Sequence, residues 1–275
     1  MAIDVRRPPA ARSNPVVRRR WFGGRQRQLR VALSVLSVLL GVLVWDLVSR
    51  NYTAFFLPSP RLTLTGALEL AGNGTLWDSV RASGQRILSG WGLGVLIGVP
   101  VGLLMGCSQW LRLMLDPYIQ FFRFVPPIAF VTLAIIWLGP GEASKVALIF
   151  YTTVFIVALN TLAGVLAVDE LKLRAARALG AGPARTLVSV ILPATVPYAV
   201  TGARLAMGNS FLTIVSAEIV AAQSGLGSLI WTARNYAKTE WVFVGIIALG
   251  LLGYLFDWVL RVVARATLRR YGVTF

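Results

Sequence analysis

Six long apolar stretches, separated by short polar segments, dominate the chain: 29–49, 87–106, 124–138, 146–168, 194–222 and 241–263. A bilayer core of ~30 Å needs ~20 helical residues to cross, so each is expected to be a membrane-spanning helix. The third is short by itself but extends backwards through Pro117–Phe122. The expected fold class is therefore an all-α membrane protein with six transmembrane helices.

The polar segments divide by charge. Residues 1–28 carry eight arginines from Arg6 to Arg27, followed by Arg30, with Pro8, Pro9, Pro15, Gly23 and Gly24 among them, and read as a disordered basic tail. The last stretch exits into Arg261, Arg265, Arg269 and Arg270, a second basic tail at 264–275. An even number of spans places both termini on one side, and the positive-inside rule makes that side the cytoplasm. The opposite loops hold fewer bases: Arg50, Arg61, Lys145, Arg234 and Lys238. The first apolar run is too long for a signal peptide, and Trp45-Asp46 stands where small residues would mark cleavage. Residues 29–79 are expected to hold the first span and an outer connection, in which Leu57-Pro58-Ser59-Pro60 turns the chain and 62–70 forms an interfacial amphipathic helix. Residues 80–263 form the main membrane domain.

Composition narrows the function classes. Hydrophobic residues make up 56% of the chain, and charged residues only 14%, with a net charge of +16. A mean hydropathy of +0.70 lies outside the range of soluble domains, so the arginine excess reads as topology and headgroup contact rather than nucleic-acid binding. The absence of His and the single Cys107, read as a small packing residue, exclude an internal disulfide, a Ser-His or Cys-His catalytic pair and most zinc or haem sites. None of the three lysines, Lys145, Lys172 and Lys238, follows a glycine, so no P-loop is present and ATP hydrolysis would require another polypeptide.

The polar segment 169–193 is the most organised of the connections. It is basic through Lys172, Arg174, Arg177 and Arg185, hence expected in the cytoplasm. Leu171–Leu179 is rich in helix formers, Gly180 to Gly182 breaks the run, and Pro183 suits the first turn of a second short helix. Ala175-Ala176, Gly180 and the Val190-Ile191-Leu192-Pro193 run resemble the "EAA loop" of permease subunits in binding-protein-dependent ABC importers, with Arg174 in place of that loop's usual Glu and Glu170 one turn earlier. Leu57-Pro58-Ser59-Pro60, Arg123–Pro127 and Ser216-Ala217-Glu218 with Ser224–Gly227 resemble the nitrate/sulfonate/taurine branch.

The resemblance implies a type I ABC importer permease fold in a bacterial inner membrane. It implies a homodimer of this chain, two ABC ATPase subunits gripping Glu170, Arg174, Ala175, Ala176, Gly180 and Pro193 as the coupling segment, and a periplasmic or lipid-anchored solute-binding protein. ATP and Mg would be used by the ATPase, with no cofactor, metal or catalytic residue on this chain. The cargo would be a small anion such as a sulfonate, taurine, nitrate or bicarbonate. The alternative is an ion-coupled secondary transporter or channel with Glu218 and Asp257 as carriers.

Ionisable or polar groups within spans mark candidate path or gate positions. Asp46–Arg50 and Asp257–Arg261 are i,i+4 pairs and read as structural. Glu218 has no base after it within helical reach, and either lines the outer gate or reaches water. Arg123 and Arg204 either meet an anion or pair elsewhere; Asn160 and Asn209 either line a polar passage or bond between helices. Most tryptophans fall near span ends, as an interfacial belt does, with Trp231 kept as a gate candidate. Gly90, Gly94, Gly98, Gly102 and Gly106 predict one close helix seam, either static or sliding.

Overall fold

The computed structural model describes residues 24–268. It divides into two compact units, residues 1–48 and 49–275. In the first, α1 (Gly24–Ser49) is a 26-residue helix whose side chains from Val31 to Val44 are all exposed, an apolar cylinder suited to lipid. It starts five residues before the expected span, so 24–28 are helical rather than tail, while 1–23 lie outside the described residues.

The described residues of the second unit form helices joined by turns, with no strand. The Leu57–Pro60 turn leads into α2 (Pro60–Gly72), where Ser59 Oγ accepts a hydrogen bond from Leu62 N at 3.3 Å and Pro60 takes the first helical position. Thr63, Gly66 and Leu70 recur on one face and are buried. Leu70 joins Leu226, Leu229, Val244 and Leu252 in one core cluster.

A 33-residue helix, α3 (Thr75–Cys107), follows and starts well before the expected Ile87. Its first turns are too polar for a hydropathy scan, yet they bury Ser79, Ser83 and Arg86 along one side. Next come α4 (Gln109–Phe122), a 3-10 turn over Pro127–Phe130 and α5 (Val131–Leu138). The third expected span is thus not a continuous helix: α4 and the 127–138 segment meet at 92°. Pro126-Pro127 enforce the break, because neither residue donates a backbone N–H and the first restricts the residue before it. Tyr151 Oη donates to the carbonyls of Phe122 and Val125 at the break, at 2.5 and 3.3 Å. Among the described residues, five helices are long and apolar enough to cross a membrane, or six when the bent pair counts as one span.

The centre of the unit is α6 (Glu142–Leu166), packed between α3 and α9 (Leu192–Ala221). The glycine seam of α3 meets a matching every-fourth row on α6. A Cβ added at Gly90, Gly94, Gly98, Gly102 or Gly106 would stand 2.5–2.9 Å from the Cβ of Ile149, Thr153, Val157, Thr161 or Val165 respectively. Backbones this close gain van der Waals contact that lipid cannot replace. On the other side of α6, Gly164 receives Tyr198 and Gly202 receives Asn160. The short α10 (Leu226–Asn235) and the 30-residue α11 (Thr239–Leu268) complete the unit. The expected tail at 264–275 begins inside α11, and 269–275 lie outside the described residues.

Candidate functional site

The segment between α6 and α9 folds as two short helices, α7 (Glu170–Ala178) and α8 (Pro183–Thr186), then a π-helical turn over Leu187–Ile191 that runs into α9. Asp169 caps α7, its Oδ1 accepting from Leu171 N at 2.9 Å. The far end is a Schellman cap: Ala181 N donates to Ala176 O and Gly180 N to Arg177 O, both at 3.0 Å. That cap needs a residue with positive φ after the helix, and Gly180 has φ +77. Nothing lies within 4 Å of a Cβ at Gly180, so backbone conformation rather than space selects glycine there.

Glu170 and Arg174 form an exposed i,i+4 ion pair at 2.7 Å, the acid preceding the base. Ala175 and Ala176 are followed by an exposed Leu179, 87% accessible, and Leu171 is 71% accessible one face away. A groove of about 740 Å³ between α7 and the start of α9 is lined by Lys172, Ala175, Ala176, Leu179, Arg185 and Pro193 among others. Five of the six sequence-predicted coupling residues thus lie on α7 or its cap, and Pro193 shares this groove with Ala175 and Ala176. Large apolar side chains on a short, otherwise polar helix with alanines between them make a surface that a protein partner would cover. Cys107, expected to be a packing residue, is instead exposed at the end of α3 and borders a second groove beneath α7.

At the opposite end of α6 lies a second constellation that the apolar pattern did not reveal. Arg86 Nε and Nη2 grip both oxygens of Glu142 at 2.5 and 2.7 Å. Its Nη1 donates to Glu218 Oε1 at 2.7 Å and to Ser224 O at 2.6 Å, and Nη2 reaches Ser224 Oγ at 3.2 Å. Glu218 is fully buried and also accepts from Ser83 Oγ at 2.8 Å and from Gly227 N at 2.8 Å. Lys145 is buried beside it, donating to Pro140 O and Gly141 O. Glu218 therefore does not reach water. Its partner was missed because Arg86 precedes the apolar run of α3; the available signal was Glu218 itself, an acid towards the end of a span with no local base, which requires a base from another helix.

The other path candidates are dispersed. Arg123 is exposed at the α4 break, its guanidinium 4.6 Å from the Phe124 ring centroid. Asn160 is half-buried at the α6–α9 approach and donates to its own helix at Ile156 O, 2.8 Å. Asn209 is half-buried on α9, and Trp231 is exposed on α10 with Arg234 stacked 5.0 Å from its ring. Arg204 pairs with Asp257 of α11 at 2.9 Å, and Asp257 also takes Arg261 at 2.9 Å. No group of acids and cysteines suited to a metal ion occurs among the described residues.

The described residues thus form a multi-span helical protein with an exposed, capped helix pair between α6 and α9. Residues 94–269 match the model of the "Binding-protein-dependent transport system inner membrane component" family. The chain is 38% identical over 253 residues to the taurine transport system permease protein TauC of Escherichia coli (strain K12), covering 90% of this chain and 92% of that one. It is 36% identical to the putative aliphatic sulfonates transport permease protein SsuC of the same organism, over 88% of this chain and 92% of the other. The bicarbonate transport system permease protein CmpB of Synechococcus elongatus is 31% identical over 90% and 95%. In fold it is similar to a chain of the MetNI methionine ABC transporter in an inward-facing conformation, with a TM-score of 0.58 at 19% identity over 69% of this chain and 96% of that one. The chain belongs to the binding-protein-dependent ABC importer permeases, in the branch that holds the taurine, sulfonate and bicarbonate systems. It is a multi-pass protein of the bacterial inner membrane and a transport component rather than an enzyme, the ATPase being a separate subunit.

Proposed function

We propose that two copies of this chain form the pathway of an importer for a small organic or inorganic anion of the sulfonate, taurine or bicarbonate type. An extracytoplasmic solute-binding protein delivers the solute, and two ATPase subunits using ATP and Mg dock on the two α7–α8 segments. Both termini face the cytoplasm in this reading, so α7 and α8 do as well, and the Arg86 cluster lies at the outer face. The observation that carries it is the α7–Gly180 cap: a short helix fixed at both ends, with exposed Leu171 and Leu179, joined to α9 through α8 and the Leu187–Ile191 turn. Movement of such a rigid helix pair is delivered to the spans without slack. ATP-driven approach of the two ATPase subunits would draw the paired α7 helices together and turn the spans outward. The relatives' stated solutes, taurine, aliphatic sulfonates and bicarbonate, support the anion class.

The test is purification of the tagged chain in mild detergent, followed by an ATPase assay with taurine, an alkanesulfonate, nitrate and bicarbonate, each with the binding protein. An ATPase in equal amount to the chain, stimulated by one of these anions, is the expected result. A chain that purifies only with itself under conditions where other importers stay whole would overturn the reading.

A further inference from the structure

The Arg86 cluster, in which Arg86, Lys145 and Glu218 are buried and Glu142 is exposed, is a set of charges that the transport reading leaves without a task. Its hydrogen bonding is complete: Arg86 offers five N–H groups, and Glu142 takes two, Glu218 one, Ser224 O one and Ser224 Oγ one. Ser83 Oγ donates to Glu218 and in turn accepts from Leu226 N at 2.8 Å. Gly225, at φ +120, packs so tightly on the Glu218 carboxylate that no Cβ fits. The bonds therefore join four stretches: α3, the start of α6, the end of α9, and the turn into α10. A satisfied network of this kind is rigid, and parting buried charges is strongly unfavourable.

The placement of Glu218 makes this clamp more than a local fastening. It lies near the end of α9, the helix whose start carries Pro193 on the rim of the coupling groove. One helix, about 37 Å from Pro193 to Glu218 at 1.5 Å per residue, runs from the coupling segment to the clamp. Beyond the clamp, α10 exposes Trp231 and Arg234. We propose that Arg86 is a positioning residue for transport: it fixes the α9–α10 turn to α3 and α6, so that displacement of the α7–α8 segment and of α10 are one coupled movement. This rests on the reading that the chain works in an ATP-driven importer.

The test uses the assembled transporter in lipid vesicles, with its ATPase and its binding protein loaded with taurine or bicarbonate. Arg86→Met alone strands Glu218 as a buried charge and can prevent folding, so Arg86→Met is paired with Glu218→Gln, and Arg86→Lys is made beside it. Basal ATP hydrolysis is expected to stay within about twofold, while stimulation by the loaded binding protein falls at least about tenfold. In the paired variant, the Leu226 and Gly227 amides should exchange hydrogen at least about tenfold faster than in the parent, with α6 amides unchanged. Arg86→Lys, which keeps the charge and loses the fork, should recover part of the stimulation. Loosened amides with stimulation kept within about twofold would overturn the proposal, as would loss of amide protection in the parent during turnover. If the parent assembly shows no ATP-driven uptake, the importer reading fails by itself. The exchange comparison then decides the clamp alone, and equal exchange in variant and parent overturns it.

Discussion

Arg86 and Glu218 lie 132 residues apart in sequence and meet at 2.7 Å, Nη1 to Oε1, with the Glu218 side chain fully buried. A buried ion pair contributes little net stability against an apolar pair of the same shape, but removing one partner leaves an unmatched charge. Arg86→Ala should therefore lower stability by about 3–5 kcal/mol, and Arg86→Ala with Glu218→Ala should lower it by less than the sum of the two single changes. Thermal unfolding of the four proteins in one detergent measures the coupling. Additive losses would show that the two side chains act independently.

The glycine seam gives a prediction with its own control on the same helix. A methyl at Gly94 would stand 2.5 Å from Thr153 Cβ, whereas at Gly92 nothing lies within 4 Å. Gly94→Ala should separate α3 from α6 and cost about 1–3 kcal/mol. Gly92→Ala should be neutral or stabilising by up to about 1 kcal/mol, through helix propensity alone. Equal melting temperatures for the two variants would mean that the seam yields, as a sliding contact would.

Gly180 and Gly182 separate strain from crowding in the α7–α8 segment, because both have open space around a Cβ. Only Gly180 has positive φ, +77 against −68 at Gly182. An L-residue in the left-handed region costs about 1–2 kcal/mol, more when β-branched. Gly180→Val should unwind the Schellman cap and reduce co-purification of the ATPase several-fold, while Gly182→Ala retains it. The spans should melt as before in both, since neither residue is packed against them.

How much of this was legible in the sequence depended on where each signal came from. The apolar runs placed the spans, and Gly180-Ala181-Gly182 with Pro183 placed the break between α7 and α8, because helix formers and a left-handed cap are local properties. The every-fourth glycines announced a close seam, though not that α6 would supply a matching row at Ile149, Thr153, Val157, Thr161 and Val165. The α4–α5 bend and the early start of α3 were not visible as hydropathy. The first depends on Pro126-Pro127 overriding a continuous apolar run, and the second on polar residues that are buried against other helices. Lys145 counted as a loop charge for orientation and Arg86 was not singled out; only the tertiary fold buries both beside Glu142 and Glu218.

The exposed pair Glu170–Arg174 should behave oppositely to the buried one. Both side chains are more than 60% accessible, so water screens the attraction, and its loss should change stability by less than about 0.5 kcal/mol. Arg174→Glu breaks the pair, reverses one charge on the α7 surface and restores the residue that the resembled loop usually carries. Thermal unfolding should be unchanged, while ATPase association, read by co-purification at two salt concentrations, should shift and do so most at low salt. A shift in melting without a shift in association would assign the pair to helix stability alone.

The bend between α4 and α5 rests on one hydroxyl. Tyr151 Oη bonds the carbonyls of Phe122 and Val125 at the break, the former also accepting from Val125 N at 3.0 Å. Away from water such groups are costly to leave unpaired. Tyr151→Phe removes only that oxygen and keeps the ring stacked between Phe130 and Phe155, at centroid distances of 5.0 and 5.1 Å. The substitution should cost about 1–3 kcal/mol. Because the aromatic contacts survive, any loss measured by thermal unfolding belongs to the carbonyls at the bend. A neutral substitution would mean that they find other donors, and that the 92° bend is held by Pro126-Pro127 and packing alone.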